Sequence, residues 1–167
     1  MFSAVFVKMG SRDFEALTHR PATGAGQERA ERILEMDAGQ PAGVRAGWNP
    51  NIPWTPEQAH ERAYRYWPIR RAQVEQWIVD RSTVPTYLIG LILDRGRSIA
   101  RFMWPIDRDG VWELFPTVRN RWGIPVVDPL HPLTMHPLVG RRPVDTQGRA
   151  ILGPRANGVR CGTFRVA

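Results

Sequence analysis

The sequence predicts an α+β domain, with two or three short helices laid against either a curved antiparallel sheet or a small β-barrel. Three observations carry this. Thr55-Pro56-Glu57-Gln58 has the form of a capped helix start. Residues 86 to 115 hold three β-rich runs separated by short turns. A last apolar-polar run, Val159 to Val166, offers a closing strand.

The elements follow in order. Phe2, Ala4 and Phe6 alternate with Ser3, Val5 and Val7, which reads as a strand ended by Gly10. Residues 18–27 are small and turn-forming, so they read as a loop. Residues 28–38 have helical composition, with Ala30, Ile33, Leu34 and Asp37 on one face. Gly39, Pro41 and Gly43 stop that helix. The Pro/Gly-rich stretch that follows divides an N-terminal strand/helix extension, residues 1–43, from a main unit, residues 44–167.

The main unit opens on the best local signal. Thr55 can accept from the first free amides of a helix, and Pro56 suits the first helical position because no N–H is needed there. Gln58 stands at the capping-box spacing. Ala59, Ala63 and Tyr66 then share a face, joined by Trp67, and Pro68 ends the helix. A second helix is expected over Arg71 to Val79, with Val74, Trp77 and Ile78 facing inward. Thr86 to Leu93 reads as a strand buried on both faces. A turn at Asp94-Arg95-Gly96-Arg97, a strand at Ser98 to Ile106, a turn at Asp107 to Gly110 and a strand at Val111 to Phe115 complete an antiparallel meander. Pro116, Pro125, Pro129, Pro132, Pro137 and Pro143 then impose long loops, with one short strand at Ile124 to Val127.

The charge pattern narrows the function. Of the 23 basic residues, 22 are Arg, and Lys8 is the one Lys. An Arg-favouring codon bias accounts for the preference, but its consequence holds. No Walker A loop is present, and a kinase-type strand lysine with its companion motifs is absent. The net charge of +7 is uneven. Residues 1–80 carry ten basic and ten acidic side chains, whereas the last 27 residues carry six arginines against Asp145 alone. Such a basic segment on a neutral body is a footprint for a polyanion, with Arg141, Arg142, Arg149, Arg155 and Arg160 as the phosphate-contacting residues. A solvated basic tail is the competing reading.

Other chemistry has weaker signals. Cys161 is the single cysteine, so neither an intramolecular disulfide nor a Cys-rich zinc site is expected. It reads as a small buried residue on the closing strand, and a thiolate favoured by neighbouring Arg160 is the alternative. Gly24-Ala25-Gly26 lacks the third glycine of a nucleotide loop. Asp107 and Asp109 read as turn residues. Asp128, His131 and His136 lie within nine residues and are candidates for metal ligation or acid-base work, although the surrounding prolines and the spacing favour a capping loop. No cofactor or metal is expected. The longest apolar run, Thr86 to Leu93, is far short of the roughly 20 residues that span a bilayer. A cytoplasmic protein without a membrane partner is expected.

Seven tryptophans are the last signal. Trp67, Trp77 and Trp104 sit at periodic apolar positions and read as core. Trp48 and Trp54 flank Asn49 in a Pro/Gly segment, and Trp122 follows Arg119, Asn120 and Arg121. Aromatics on loops beside Arg and Asn are what base stacking and edge hydrogen bonding need. Closing the ends of a barrel is the alternative role.

The middle of the chain carries a resemblance. Trp54, the helix ending Tyr64-Arg65-Tyr66-Trp67, the strand Tyr87 to Leu93 and Gly96 to Phe102 come in that order, followed by Arg119 to Trp122 and a Gly140-centred loop. Over roughly residues 44–165 this resembles small bacterial PUA-like proteins related in architecture to EVE and ASCH domains. The resemblance implies a small β-barrel with a pocket at one end. It also implies a partner that is RNA or modified DNA, in some cases within restriction or phage-defence systems. By position it makes Trp48, Asn49, Trp54, Arg119, Arg121 and Trp122 the base pocket. The function expected is therefore non-enzymatic nucleic-acid binding, reading a modified or extruded base. A protein-interaction or assembly module, and a small hydrolase or nuclease using Asp128, His131 and His136, remain the alternatives.

Overall fold

The structure, a computed structural model, describes residues 2–9, 48, 50–51, 53–65, 67–116, 120–153 and 159–166. The predicted helix at 28–38, the Gly24 loop and His19 lie outside the described residues, as do Asn49, Tyr66, Arg119 and Arg155. The described chain is α+β. Strand β1 is Phe2–Lys8, helix α1 is Pro56–Tyr64, helix α2 is Arg71–Val79, and a 3-10 turn covers Arg81–Thr83. Then come β2 (Tyr87–Asp94), β3 (Arg97–Pro105), β4 (Glu113–Phe115), β5 (Arg121–Gly123), β6 (Pro143–Val144) and β7 (Val159–Val166).

Five strands form one sheet in the order β3-β2-β1-β7-β6. The sheet is mixed. β1 runs parallel to β2, with Val5 opposite Leu88, and antiparallel to β7, with Val5 opposite Cys161. This corrects the all-antiparallel expectation. The strand assigned to an N-terminal extension is the central strand of the sheet. Its Ala4, Val5, Phe6 and Val7 are all fully buried, because helices cover one face and the curl of the sheet encloses the other.

The predicted meander also changes. β2 and β3 form the expected hairpin, turned by Arg95 at φ 49° and Gly96 at φ 76°, the paired left-handed residues that a tight hairpin requires. The third strand does not continue that sheet. β4 pairs with β5 in a separate two-stranded ribbon, and the segment expected as a strand, Ile124 to Val127, supplies only a bridge between Val126 and Ile106. Asp107 takes its backbone bond from its amide to the Pro125 carbonyl, so the chain leaves β3 along a different partner.

A bulge sorts the side chains of β3. The register shifts so that Gly90 faces Phe102 and Leu91 faces Ala100, which leaves Arg101 as the extra residue. Phe102 and Trp104 then point toward the helices, while Ala100 and Met103 point to the opposite face. Two cores result. The larger joins Val5, Val7, Leu88 and Trp104 to Ala59 and Ala63 of α1, Val74 and Trp77 of α2, and Trp112 and Trp122 near the ribbon. The smaller packs Ala4, Phe6, Ile89, Leu91 and Met103 against Leu138, Ile151, Leu152 and Phe164. The sheet curls around this smaller core as a half-barrel. The Ala100 amide of β3 donates to the Arg141 carbonyl, two residues ahead of β6, and thereby ties one edge of the sheet toward the other.

The helices match their sequence signals. Thr55 accepts from the Gln58 amide at 3.3 Å while the Gln58 side chain accepts from the Thr55 amide at 2.9 Å, a complete capping box. Ala59 and Ala63, one turn apart, let the backbone of α1 approach the sheet. In α2 only Val74 and Trp77 are buried. Ile78, expected to face inward, is 53% exposed, because the i, i+3 stripe of this helix is a single contact line and Ile78 falls about 100° away from Trp77. Among the described residues no helix is long and apolar enough to cross a membrane.

Candidate functional site

The C-terminal arginines meet around one carboxylate. Asp145 follows β6 and opens a tight turn whose Gly148 sits at φ 78°, a left-handed position that glycine adopts without strain. The Gln147 and Arg149 amides both donate to Asp145 Oδ1 at 2.9 Å, and the Arg149 Nε–H donates to Oδ2 at 2.9 Å. Arg160, across on β7, brings Nη2 to 3.7 Å from the same Oδ2. Hydrogen bonds from the Arg149 backbone come first among the causes that hold the Asp145 carboxyl below its ordinary range, so it stays ionised. Arg165 reaches the same turn, its Nη2 pointing toward Gly148. The carboxylate thus faces two guanidinium groups, those of Arg149 and Arg160, and the site keeps a net positive charge.

A cavity of about 230 Å³ opens between this turn and β7. Phe6 and Ile151 form its floor, Thr146, Gln147 and Thr163 add polar groups, and Arg149 and Arg160 carry its charge. Gly162 belongs to the wall, and a Cβ placed there would meet nothing within 4 Å. Cys161 also lines it and is exposed, but protein around the sulfur displaces water and pushes the thiol up to about 11. Desolvation thus outweighs any activation by Arg160.

Of the five arginines read as a phosphate footprint, Arg149 and Arg160 converge here. Arg141 and Arg142 are exposed on the segment that leads into β6, and Arg155 lies outside the described residues. Asp145, Gln147, Gly162 and Thr163 were not singled out from the sequence. The signal was present in Asp145-Thr146-Gln147-Gly148, an Asx-type turn ending in glycine.

The aromatic residues assigned to a base pocket are distributed differently. Trp54 is 4% exposed and Trp122 6%, both inside the larger core. Neither leaves a ring face open for a base. Trp48 is half-buried, edge-on to Trp54 at 5.5 Å and to Phe102 at 5.8 Å, with the Arg101 guanidinium 5.9 Å from its ring. Arg121, half-buried in β5, pairs with Phe115, well removed in sequence from the cavity residues. Asn49 and Arg119 lie outside the described residues.

The Asp128 segment is held by its own turn. Asp128 accepts from the Leu130 amide at 3.2 Å and contacts His131 Nδ1 at 2.9 Å, with both side chains exposed. His136 Nδ1 accepts from the Leu138 amide at 3.1 Å, and burial lowers its affinity for a proton. Among the described residues no group of three His, Cys, Asp or Glu side chains is arranged to hold a metal ion.

A second polar cluster lies on α1. The Tyr64 hydroxyl donates to Glu113 Oε2 at 2.6 Å, and burial together with that carboxylate pushes the phenol up to about 12. His60 stacks on Tyr64 at 5.2 Å and is lowered to about 4 by burial and by the charge of Arg65. Arg65 lies 4.7 Å from the Tyr64 ring and pairs with Glu61 at 3.1 Å. The spacing of His60, Glu61 and Tyr64 along α1, with Arg65 at its C-cap, was the available signal.

Comparison with protein-family models, with curated proteins and with solved structures gives no match.

Proposed function

We propose that the chain is a non-enzymatic nucleic-acid-binding domain of PUA-like type, acting in the cytoplasm on RNA or modified DNA. The observation that carries this reading is the convergence of Arg149 and Arg160 on Asp145 at the cavity beside β7. One carboxylate orients the two guanidinium groups without neutralising both, which suits them to phosphate oxygens. Arg141, Arg142 and Arg165 extend the positive surface from the same part of the chain. The curled mixed sheet with two helices is compatible with a PUA-like barrel. Trp48, with Arg101 beside it, is the loop tryptophan still able to stack on a base.

The test is fluorescence anisotropy with labelled single-stranded DNA, duplex DNA and RNA, plain and base-modified, across a range of salt. Binding with a steep salt dependence is expected. Replacing Arg141 and Arg142 by Ala should reduce the log–log slope by about 2, since each phosphate contact contributes about 0.9. No binding at low salt, or an unchanged slope in that variant, overturns the reading.

A further inference from the structure

We infer that the cavity beside β7 receives the free C-terminal end of an extended peptide, which adds to the open edge of that strand. On one side β7 is fully engaged, with Val159 through Phe164 paired to Val7 through Phe2 of β1. On the other side β6 reaches only Arg165 and Val166. Alternate residues of an antiparallel strand turn their N–H and C=O groups away from the first partner. Along Arg160 to Thr163 those outward groups have no backbone partner among the described residues. An unpaired strand edge is a template for another chain.

This edge is built to be reached. It forms one wall of the cavity of about 230 Å³ rather than lying on a flat surface. The open space beside Gly162 lets a second backbone come close. The Asp145–Arg149 turn faces the edge across the cavity, and β6 takes the edge over from Arg165 onward. A chain end therefore enters, whereas a strand passing through is obstructed.

Charge selects the occupant. Arg149 uses its Nε–H on Asp145 and Arg160 only approaches that carboxylate, so the guanidinium forks can take a further carboxylate. Phosphates supply acceptors alone and leave the strand's carbonyls unsatisfied, whereas a peptide supplies both donors and acceptors. The inference is separate from the nucleic-acid reading, but both ligands use Arg149 and Arg160, so they should compete.

The experiment uses the full chain and a fluorescein-labelled Thr-Val-Thr-Val peptide with a free C-terminus. Three companions are its C-terminal amide, a form N-methylated at the last peptide bond, and a labelled oligonucleotide. The expected result is saturable binding of the free acid, about tenfold weaker for the amide and for the N-methyl form. Hydrogen exchange at Arg160 to Thr163 should slow when the peptide is bound. Gly162→Val, whose side chain enters open space, should abolish peptide binding with the fold retained. The Arg141→Ala, Arg142→Ala variant should bind peptide normally even where its oligonucleotide salt slope falls, which separates the two readings. Equal binding of acid and amide, no exchange protection in β7, or no binding at millimolar peptide overturns the inference whatever the oligonucleotide result.

Discussion

Trp67 and Trp122 exchange both of their backbone hydrogen bonds, 3.1 Å from the Trp67 amide to the Trp122 carbonyl and 3.0 Å in return. The bridge fastens the chain just beyond α1 to β5 and holds both indoles inside the larger core. The Trp67 indole N–H is satisfied by the Ala63 carbonyl at 2.7 Å.

Trp122 therefore acts through packing. Trp122→Ala should cost about 3–5 kcal/mol, the range for removing a large buried aromatic side chain. Urea unfolding measures it, and oligonucleotide affinity corrected for the folded fraction should not change. A binding defect with normal stability would show instead that the ring meets the ligand.

His60 predicts a pH dependence. Its folded value of about 4 lies below the ordinary 6.5, so the unfolded chain takes up the proton first. Stability is full above about pH 6.5, falls as the pH drops toward 4, and levels off below that. At about 1.4 kcal/mol per unit, the loss is a few kcal/mol at most. In His60→Gln the slope between pH 7 and 4 should flatten, and a slope unchanged from the parent would contradict the assignment.

Asp145 organises the basic site by restraining it. Asp145→Asn keeps the shape of the turn but removes the charge that holds Arg149 and attracts Arg160. Oligonucleotides should bind more tightly at low salt and with a steeper salt dependence, while thermal stability falls. Weaker binding at low salt would mean that ordering the guanidinium groups outweighs their net charge.

Cys161 should be slow to react despite its exposure. With the thiol pushed up to about 11 from an ordinary 9.0, the thiolate fraction at neutral pH falls about a hundredfold. Alkylation by iodoacetamide, followed by mass spectrometry, should lag a denatured control by that order. Equal rates would place the sulfur in open water.

The elements legible in the sequence were those with local causes. Thr55, Pro56 and Gln58 specify the start of α1 within one turn of chain, and the structure forms that cap as expected. Helix α2 and strand β7 fall on their predicted bounds for the same kind of reason. The parallel pairing of β1 with β2 was not legible, since strand direction and partner are decided between segments far apart in sequence. Nor was the diversion of β4 to β5. The turn residues Asp107 to Gly110 signal a reversal, but Pro125 takes the Asp107 amide, and turn chemistry does not name its partner. At the site, charge counting found Arg149, Arg160 and the lone Asp145 but not that the carboxylate joins the two arginines. The loop tryptophans illustrate the limit from another side. Trp48 and Trp54 sit in the same Pro/Gly segment and both meet Phe102, yet one is half-buried and the other enclosed, with the Arg62 guanidinium 4.4 Å over the Trp54 ring.

The place of β1 also sets an order of assembly. Its neighbours are β2, from mid-chain, and β7, from the far end, with Phe2 opposite Phe164. During synthesis β1 emerges first but can be joined on one side only, and it must wait for β7 to cover the other. Contacts of such long sequence separation form slowly, and an uncovered apolar strand is open to wrong partners meanwhile. A nascent chain halted before β7 should therefore be a target for chaperones, while release of the last strand lets the sheet close.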